Sequence, residues 1–318
     1  MSRIVVTGAN GFVGRAVCRA LVGAGHRVTG VVRQAGTCIA GVDEWVLTGA
    51  DFEEIGRTWP RNLQADCVVH LAARVHVMRE RSVDPLAAFR ATNVEGTLRV
   101  AKAAHENGVR RVVFVSSIKA VAETDPGWPL REDDPASPQD AYGRSKLEAE
   151  GALRQFGKHS GLEVVIIRPP LVYGPGVGAN FFSLMHAVAT GIPLPLAAID
   201  ARRSLVYVDN LADSIARCVA DARAAGECFH VADAEYLTVA ELARAIGEHL
   251  QKPARLLPVP PKWLNFVGRV TGRLPQVERL TSNLRVDSAH IRAVLGWQPS
   301  HSLDDALART VRWYRATH

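Results

Sequence analysis

The chain has 318 residues, 47% of them apolar and 22% charged, with a formal net charge of +6. That length can bury a full core and hold two lobes. No run reaches the roughly 20 apolar residues of a membrane span, and the five cysteines (18, 38, 67, 218, 228) are odd in number and lack paired metal spacing. A spanning protein, a disulfide scaffold and a metal site are therefore not expected, and with a strand pattern at the very N-terminus the reading is a reduced cytoplasmic protein. Arginines dominate the basic residues but form no block of five and no strip interleaved with aromatics. Nucleic acid is thus not an expected partner, whereas a positive field suits an anionic, phosphate-bearing substrate.

In chain order, Arg3 to Val6 reads as a short β-type run, followed by Thr7-Gly8-Ala9-Asn10-Gly11-Phe12-Val13-Gly14 and then by a helical apolar pattern at Val13, Val17, Leu21 and Val22. Gly8 permits a tight turn, Gly11 lets the backbone approach phosphates, and Gly14 lets helix and strand pack closely. The helix N-terminus then attracts the anion. Strand signals near 3–7, 27–32, 44–47, 66–71, 111–117 and 163–168 alternate with amphipathic stretches. That alternation predicts an α/β fold with a doubly wound parallel sheet.

After Arg168 the texture changes. Pro169-Pro170, Tyr173-Gly174-Pro175-Gly176 and Gly191-Ile192-Pro193 break the chain into loops and short helices, with further strands expected at Ser204–Val208 and Cys228–Val231. The expected division is a dinucleotide-binding domain over 1–168, with returning segments at about 204–232, and a smaller, interleaved substrate lobe from 169–203 and 233–318. Within that lobe Pro261–Val270 carries apolar residues and flanking cations. It reads as a helix that packs inward, with contact to a membrane surface as the alternative; stable membrane insertion is not expected.

Tyr142 and Lys146 are four residues apart in a strong helix-forming stretch, Ser145-Lys146-Leu147-Glu148-Ala149-Glu150, and so share a face. A cation one turn away is expected to lower the phenol's pKa and make Tyr142 a general acid or base.

The glycine spacing with its Thr7 lead, the Tyr-x-x-x-Lys pair, His70-Leu71-Ala72-Ala73, Thr92-Asn93-Val94-Glu95-Gly96-Thr97 and Phe114-Val115-Ser116-Ser117 together resemble the extended short-chain dehydrogenase/reductases, the NAD-dependent epimerase/dehydratase family. The resemblance implies a Rossmann sheet. It implies a catalytic set of Ser117, Tyr142, Lys146 and Asn93, the asparagine supporting the lysine through water. It also implies cofactor contacts from Gly8, Gly11, Phe12, Val13, Gly14, Arg33, Asp51, Leu71, Ala72, Ala73, Lys146 and Pro169. A 4,6-dehydratase of this family carries Asp-Glu after the catalytic Ser/Thr; Ile118-Lys119 stands here, so dehydration is not expected. The substrate lobe resembles that of UDP-sugar epimerases, which implies Asn180, Arg203 and Arg285 as diphosphate ligands, a UDP-sugar as partner and a homodimer as an allowed assembly.

The runs Ser116-Ser117-Ile118-Lys119 and Arg168-Pro169-Pro170-Leu171-Val172-Tyr173-Gly174-Pro175-Gly176-Val177 are similar to bacterial polysaccharide enzymes that resemble UDP-glucose 4-epimerase, several being reductases of UDP-4-keto-6-deoxy-hexosamines. Where the second strand of NAD-retaining epimerases usually ends in Asp, this chain has Val32 and then Arg33. Arginine there accommodates a 2′-phosphate, so NADP(H) is favoured over NAD(H). The expected reaction is 4-keto reduction, with UDP-sugar 4-epimerase and a non-catalytic dinucleotide sensor as the alternatives.

Overall fold

A computed structural model describes residues 1–75, 84–272 and 274–318. Its centre is a parallel sheet of seven strands: β1 (Arg3–Thr7), β2 (Arg27–Val32), β3 (Val42–Val46), β4 (Cys67–His70), β5 (Arg111–Val115), β6 (Glu163–Arg168) and, from further along the chain, a short strand at Cys228–His230. The spatial order runs β3-β2-β1-β4-β5-β6 and ends on the Cys228–His230 strand. The order reverses between β1 and β4, and open α/β sheets bind ligands in the crevice at such a reversal.

The apolar strands alternate into two cores, as burial on both faces requires. Val6, Val69, Val113 and Val165 face α1 (Phe12–Gly23) and the later helix Val208–Ala220. Val5, Val68, Val112, Phe114 and Ile166 face the other side. That side is covered by helices that follow α2 (Pro85–Arg90) and a π-type turn, Ala91–Gly96: α3 (Thr97–Glu106) and α4 (Ala141–Ser160).

Beyond β6 the chain builds a second, three-stranded sheet from β7 (Leu171–Tyr173), β8 (Arg202–Tyr207) and a strand at Tyr236–Thr238. Helix α5 (Ala179–Thr190) lies between the first two, and α6 (Val208–Ala220) returns to pack on α1. The strand at Cys228–His230 is β9 and that at Tyr236–Thr238 is β10. The returning segment is therefore split. β9 takes the open edge of β6, so β8 has no place in the large sheet and pairs with β7 and β10 instead.

The rest of the chain is helical: α7 (Val239–Leu250), α8 (Pro261–Val270), α9 (Leu274–Thr281), α10 (Ala289–Leu295) and α11 (Leu303–Thr317). Helix α8 departs from the inward packing expected of it. Gly268 is its buried residue, and Trp263, Phe266, Val267 and Val270 stand exposed. Its stripe of large side chains faces away from α9, because Gly268 gives α9 the closer approach. Among the described residues no helix is long and apolar enough to cross a membrane, no three His, Cys, Asp or Glu side chains gather as a metal would need, and the five cysteines are free thiols.

Candidate active site

The glycine loop sits at the end of β1, in the crevice of the strand reversal. Gly8 has φ +68°, a left-handed conformation that favours glycine, and a Cβ there would come within 3.0 Å of the Ala72 nitrogen. A Cβ on Gly14 would lie 2.0 Å from the Gly8 carbonyl oxygen. Gly11 caps α1 with no side-chain hydrogen bond, and the first turn holds no acidic residue. The N–H groups there remain for an anion. This cradle fits a dinucleotide pyrophosphate. Phe12 and Val13 are half-buried beside it, the Phe12 ring lying against the Gly176 backbone, and Leu71, Ala72 and Ala73 line the opposite rim as β4 ends.

Beneath the rim lies a polar cluster that the motif did not announce. His70 is fully buried; its Nδ1 is 2.7 Å from the Thr7 hydroxyl and its Nε2 3.0 Å from the Thr97 hydroxyl. Thr97 already donates to the Asn93 carbonyl, so Nε2 carries the proton and Nδ1 accepts from Thr7. Burial, and then the charge of Lys146, push the imidazole down to about 3, which keeps it neutral.

The catalytic side chains converge at the ends of β5 and α4. The ladder stops at Val115, two residues short of the expected strand end, because Ser117 becomes the N-cap of a 3₁₀ turn, Ile118–Ala120. The two serines then part company. The Ser116 hydroxyl turns inward and donates to Glu150 at 2.5 Å, whereas Ser117 is half-exposed and its side chain hydrogen-bonds the Tyr142 phenol. Asp140 caps α4 by accepting from the Gly143 N–H at 2.7 Å. Gly143 lets the Ser117 turn press on that first helical turn, since a Cβ there would lie 2.3 Å from the Lys119 carbonyl oxygen.

Lys146 is buried; its ammonium donates to the Val115 carbonyl at 2.9 Å and lies 4.5 Å above the Phe114 ring. Burial lowers its pKa to about 7. Burial also raises the Tyr142 phenol to about 12, against the opposing hydrogen bond from Ser117. This corrects the expected effect of the lysine: Lys146 is engaged with the sheet, desolvation dominates, and the phenol is held protonated at neutral pH. Asn93 is buried in the π-type turn. Its Nδ2 donates to the Ser145 hydroxyl and to the Arg74 carbonyl, and its Oδ1 accepts from the Arg74 N–H, so its direct bonds brace the residue next to Lys146.

Of the remaining cofactor residues, Asp51 is half-buried in a left-handed turn (φ +48°) and accepts from the Thr92 hydroxyl, which ties it to the Asn93 turn. Pro169 is buried, and its carbonyl accepts from Ile118. Arg33 stands exposed just past β2. In the loop that follows, the N–H groups of Gly36, Thr37 and Cys38 all donate to the Glu44 carboxylate, and Asn10 of the glycine loop donates to Thr37. Glu44 is thus committed to shaping that loop.

The substrate-lobe residues are differently disposed. Arg203 and Arg285 belong to one cluster, joined by the bridge between Arg203 and Leu284. Arg203 donates to the carbonyls of Arg279 and Ser282, near the C-terminus of α9. Arg285 forms a two-pronged ion pair with Asp125 at 2.9 and 3.0 Å, and the Asp125 side chain is fully buried. Asn180 is apart from them, exposed on the first turn of α5. Lys119, which replaces a dehydratase acid, is 2.7 Å from Asp140 and 3.5 Å from Glu123, and Arg279 reaches the same two carboxylates.

One supporting pair and one cap were missed in the sequence although each had a signal. Glu150 and Arg168 form a buried ion pair at 2.6 Å behind Ser116; an arginine closing an otherwise apolar strand demands a buried partner. Asp140, two residues before Tyr142, has the residue type of a helix N-cap.

The family model described as NAD dependent epimerase/dehydratase family matches residues 4–232. A UDP-glucose 4-epimerase of Vibrio cholerae is 40% identical over 97% of this chain and 94% of its own. An N-acetyl-α-D-glucosaminyl-diphospho-ditrans,octacis-undecaprenol 4-epimerase of Escherichia coli O157:H7 is 27% identical over 78% of this chain and 77% of its own. Among solved structures, the Thermus thermophilus UDP-glucose 4-epimerase complex with NAD superposes with a TM-score of 0.80 at 22% identity, covering 99% of this chain and 100% of its own. The Bordetella bronchiseptica enzyme WbmG in complex with NAD and UDP gives 0.78 at 20% identity, covering 99% and 95%.

Proposed function

Because the chain belongs to the NAD-dependent epimerase/dehydratase family, we propose that it is an enzyme acting at C4 of a UDP-sugar, reducing the 4-ketone of a UDP-4-keto-6-deoxy-hexosamine for bacterial surface polysaccharide. The observation that supports chemistry at C4 is the contact of Ser117 with Tyr142 at the mouth of the crevice, with Lys146 behind them, a set that reduction and epimerisation share. A bound nicotinamide dinucleotide would supply the hydride. Ser117 holds the C4 oxygen by a hydrogen bond, and Tyr142 gives it a proton. A phenol held protonated at neutral pH suits the reducing direction. Lys119, fixed between Asp140 and Glu123, offers no carboxylate for eliminating water.

Residues 1–168 with β9 and α6 would hold the dinucleotide, which the cradle residues Gly8, Gly11 and Gly14 and the exposed Arg33 would bind. Segments 169–203 and 233–318 would hold the UDP moiety, with Asn180, Arg203 and Arg285 nearest its diphosphate. Arg33, and no acid, next to the end of β2 supports NADPH, and a dissociable reductant supports net reduction. A second reading, UDP-sugar 4-epimerase, is favoured by the relative that is 40% identical. The test is redox balance. Purified protein should oxidise NADPH stoichiometrically with a UDP-4-keto-6-deoxy-hexosamine. Interconversion of UDP-glucose and UDP-galactose with no net change in the dinucleotide would replace this reading with the epimerase.

A further inference from the structure

Half of the large apolar side chains that stand exposed among the described residues crowd into one short stretch: Leu257, Trp263, Phe266, Val267, Val270 and Leu280, six of twelve. Four of them share one face of α8. Trp263, Phe266, Val267 and Val270 follow the i, i+3, i+4, i+7 spacing and are 64, 60, 52 and 73% exposed. The same spacing normally marks the side of a helix turned to the core. Here the packed side is the one at Gly268, where an added Cβ would lie 3.0 Å from Val277 and 3.2 Å from Leu274. The apolar stripe is presented to the outside.

Charge supplies an independent observation. From Leu250 to Val277 the sequence holds no Asp or Glu but carries Lys252, Arg255, Lys262, Arg269 and Arg273. Lys252, Arg255, Lys262 and Arg269 are exposed. An outward apolar stripe with a tryptophan, flanked by cations and free of acids, is the chemistry of an interfacial helix on an anionic bilayer. The ring of Trp263 suits the headgroup boundary.

We propose that α8 docks this protein peripherally on an anionic phospholipid surface. Trp263, Phe266, Val267 and Val270 enter the interface, and Lys262 and Arg269 meet the headgroup phosphates. The helix lies on the bilayer without crossing it. Docking there would hold the substrate lobe at the membrane, since α9, packed on α8, reaches through Arg279 to Glu123 of the loop that follows Ser117. A second copy of the chain is the weaker occupant, because a two-fold contact through this face would oppose two acid-free cationic segments. The inference is independent of the chemistry assigned to C4.

The test is sedimentation of the full-length protein with vesicles of phosphatidylglycerol and phosphatidylethanolamine, against vesicles of phosphatidylcholine alone. Binding is expected to the anionic vesicles and to weaken as salt is raised. Trp263→Ser with Phe266→Ser should lower it roughly tenfold or more, and Lys262→Glu with Arg269→Glu by a similar factor. All four positions are exposed, so the thermal midpoint and the oligomeric state by light scattering should stay as in the parent. Equal binding to both vesicle types, or undiminished binding by the serine variant, overturns the proposal. So does a serine variant that falls from dimer to monomer, which would assign the face to a second copy.

Discussion

The end of β5 and the substrate lobe use their polar side chains in opposite ways. Around Ser117 the buried groups are saturated by one another, Ser116 by Glu150, Glu150 by Arg168 and Asn93 by Ser145, and this leaves Ser117 and Tyr142 facing each other at the mouth of the crevice. Around Arg203 and Arg285 the guanidinium groups are partly committed, Arg203 through Nη1 to the carbonyls at the C-terminal end of α9 and Arg285 through Nε and Nη2 to Asp125. In the first region the neighbours position the motif residues; in the second they hold part of each motif side chain themselves. A sequence motif thus locates a side chain but leaves open what the side chain is available to do.

The sharpest way to break this comparison is to remove the proton from the Ser117–Tyr142 pair. Tyr142→Phe keeps the ring that packs edge-on to Phe89 at 6.1 Å and deletes only the hydroxyl. Turnover should fall by about 10²-fold or more, as loss of an acid/base group does, with dinucleotide affinity unchanged by calorimetry. A variant keeping more than about a tenth of the parent rate would remove Tyr142 from its role.

In the lobe the expected loss is one of stability first. Arg285→Ala strands the buried Asp125 carboxylate and should cost roughly 1–3 kcal/mol in urea unfolding, less than a fully buried pair because the arginine side chain is 21% exposed. Adding Asp125→Asn should restore much of that. If Arg285 also binds the diphosphate, the double variant will regain stability without regaining UDP affinity. Full recovery of both would make the pair purely structural.

Adjacent serines offer a finer division. Ser116→Ala leaves a buried Glu150 oxygen short of its 2.5 Å donor and should lower stability by about 1 kcal/mol with little change in the chemical step. Ser117→Ala should do the reverse, leaving stability near the parent and slowing turnover. Equal effects on rate would mean that the two hydroxyls are not separated as the fold separates them.

Much of this was legible in the sequence. The strand run, the glycine turn and the Tyr142–Lys146 helix are local patterns, set by period, small residues and helix-forming neighbours, and they lie where those patterns place them. The choice between Ser116 and Ser117 needed a resemblance, because period-2 alternation alone does not say which hydroxyl the last strand residue turns inward. Three things were not legible. The edge taken by β8 depended on β9, which comes later in the chain. The direction of the α8 stripe depended on a glycine contact with α9. The pKa of Tyr142 depended on burial outweighing the hydrogen bond from Ser117. The first is a competition between distant parts of the chain, and the other two turn on packing that no local pattern reports.

A further test concerns Arg33, an exposed candidate residue. Arg33 follows Val32, a side chain with no acceptor for a ribose 2′-hydroxyl, and the carboxylate of Glu44 is occupied by the three N–H groups at 36–38. A 2′-phosphate beside Arg33 would gain one charge-assisted hydrogen bond, roughly 1.5–3 kcal/mol before screening. Because Arg33 is exposed to solvent and salt, the lower end applies, which corresponds to a preference of about tenfold for NADPH over NADH. Arg33→Ala should erase that preference by weakening NADPH alone, and raising the salt concentration should shrink it in the parent. If the guanidinium instead lies over the adenine ring, both dinucleotides will weaken together in the variant and the ratio will stay near one throughout. Titrating each dinucleotide into protein stripped of cofactor separates the two. A ratio of one, with NAD that resists stripping, would also move the proposed reaction from net reduction to epimerisation, since a retained dinucleotide returns its hydride to the sugar that supplied it.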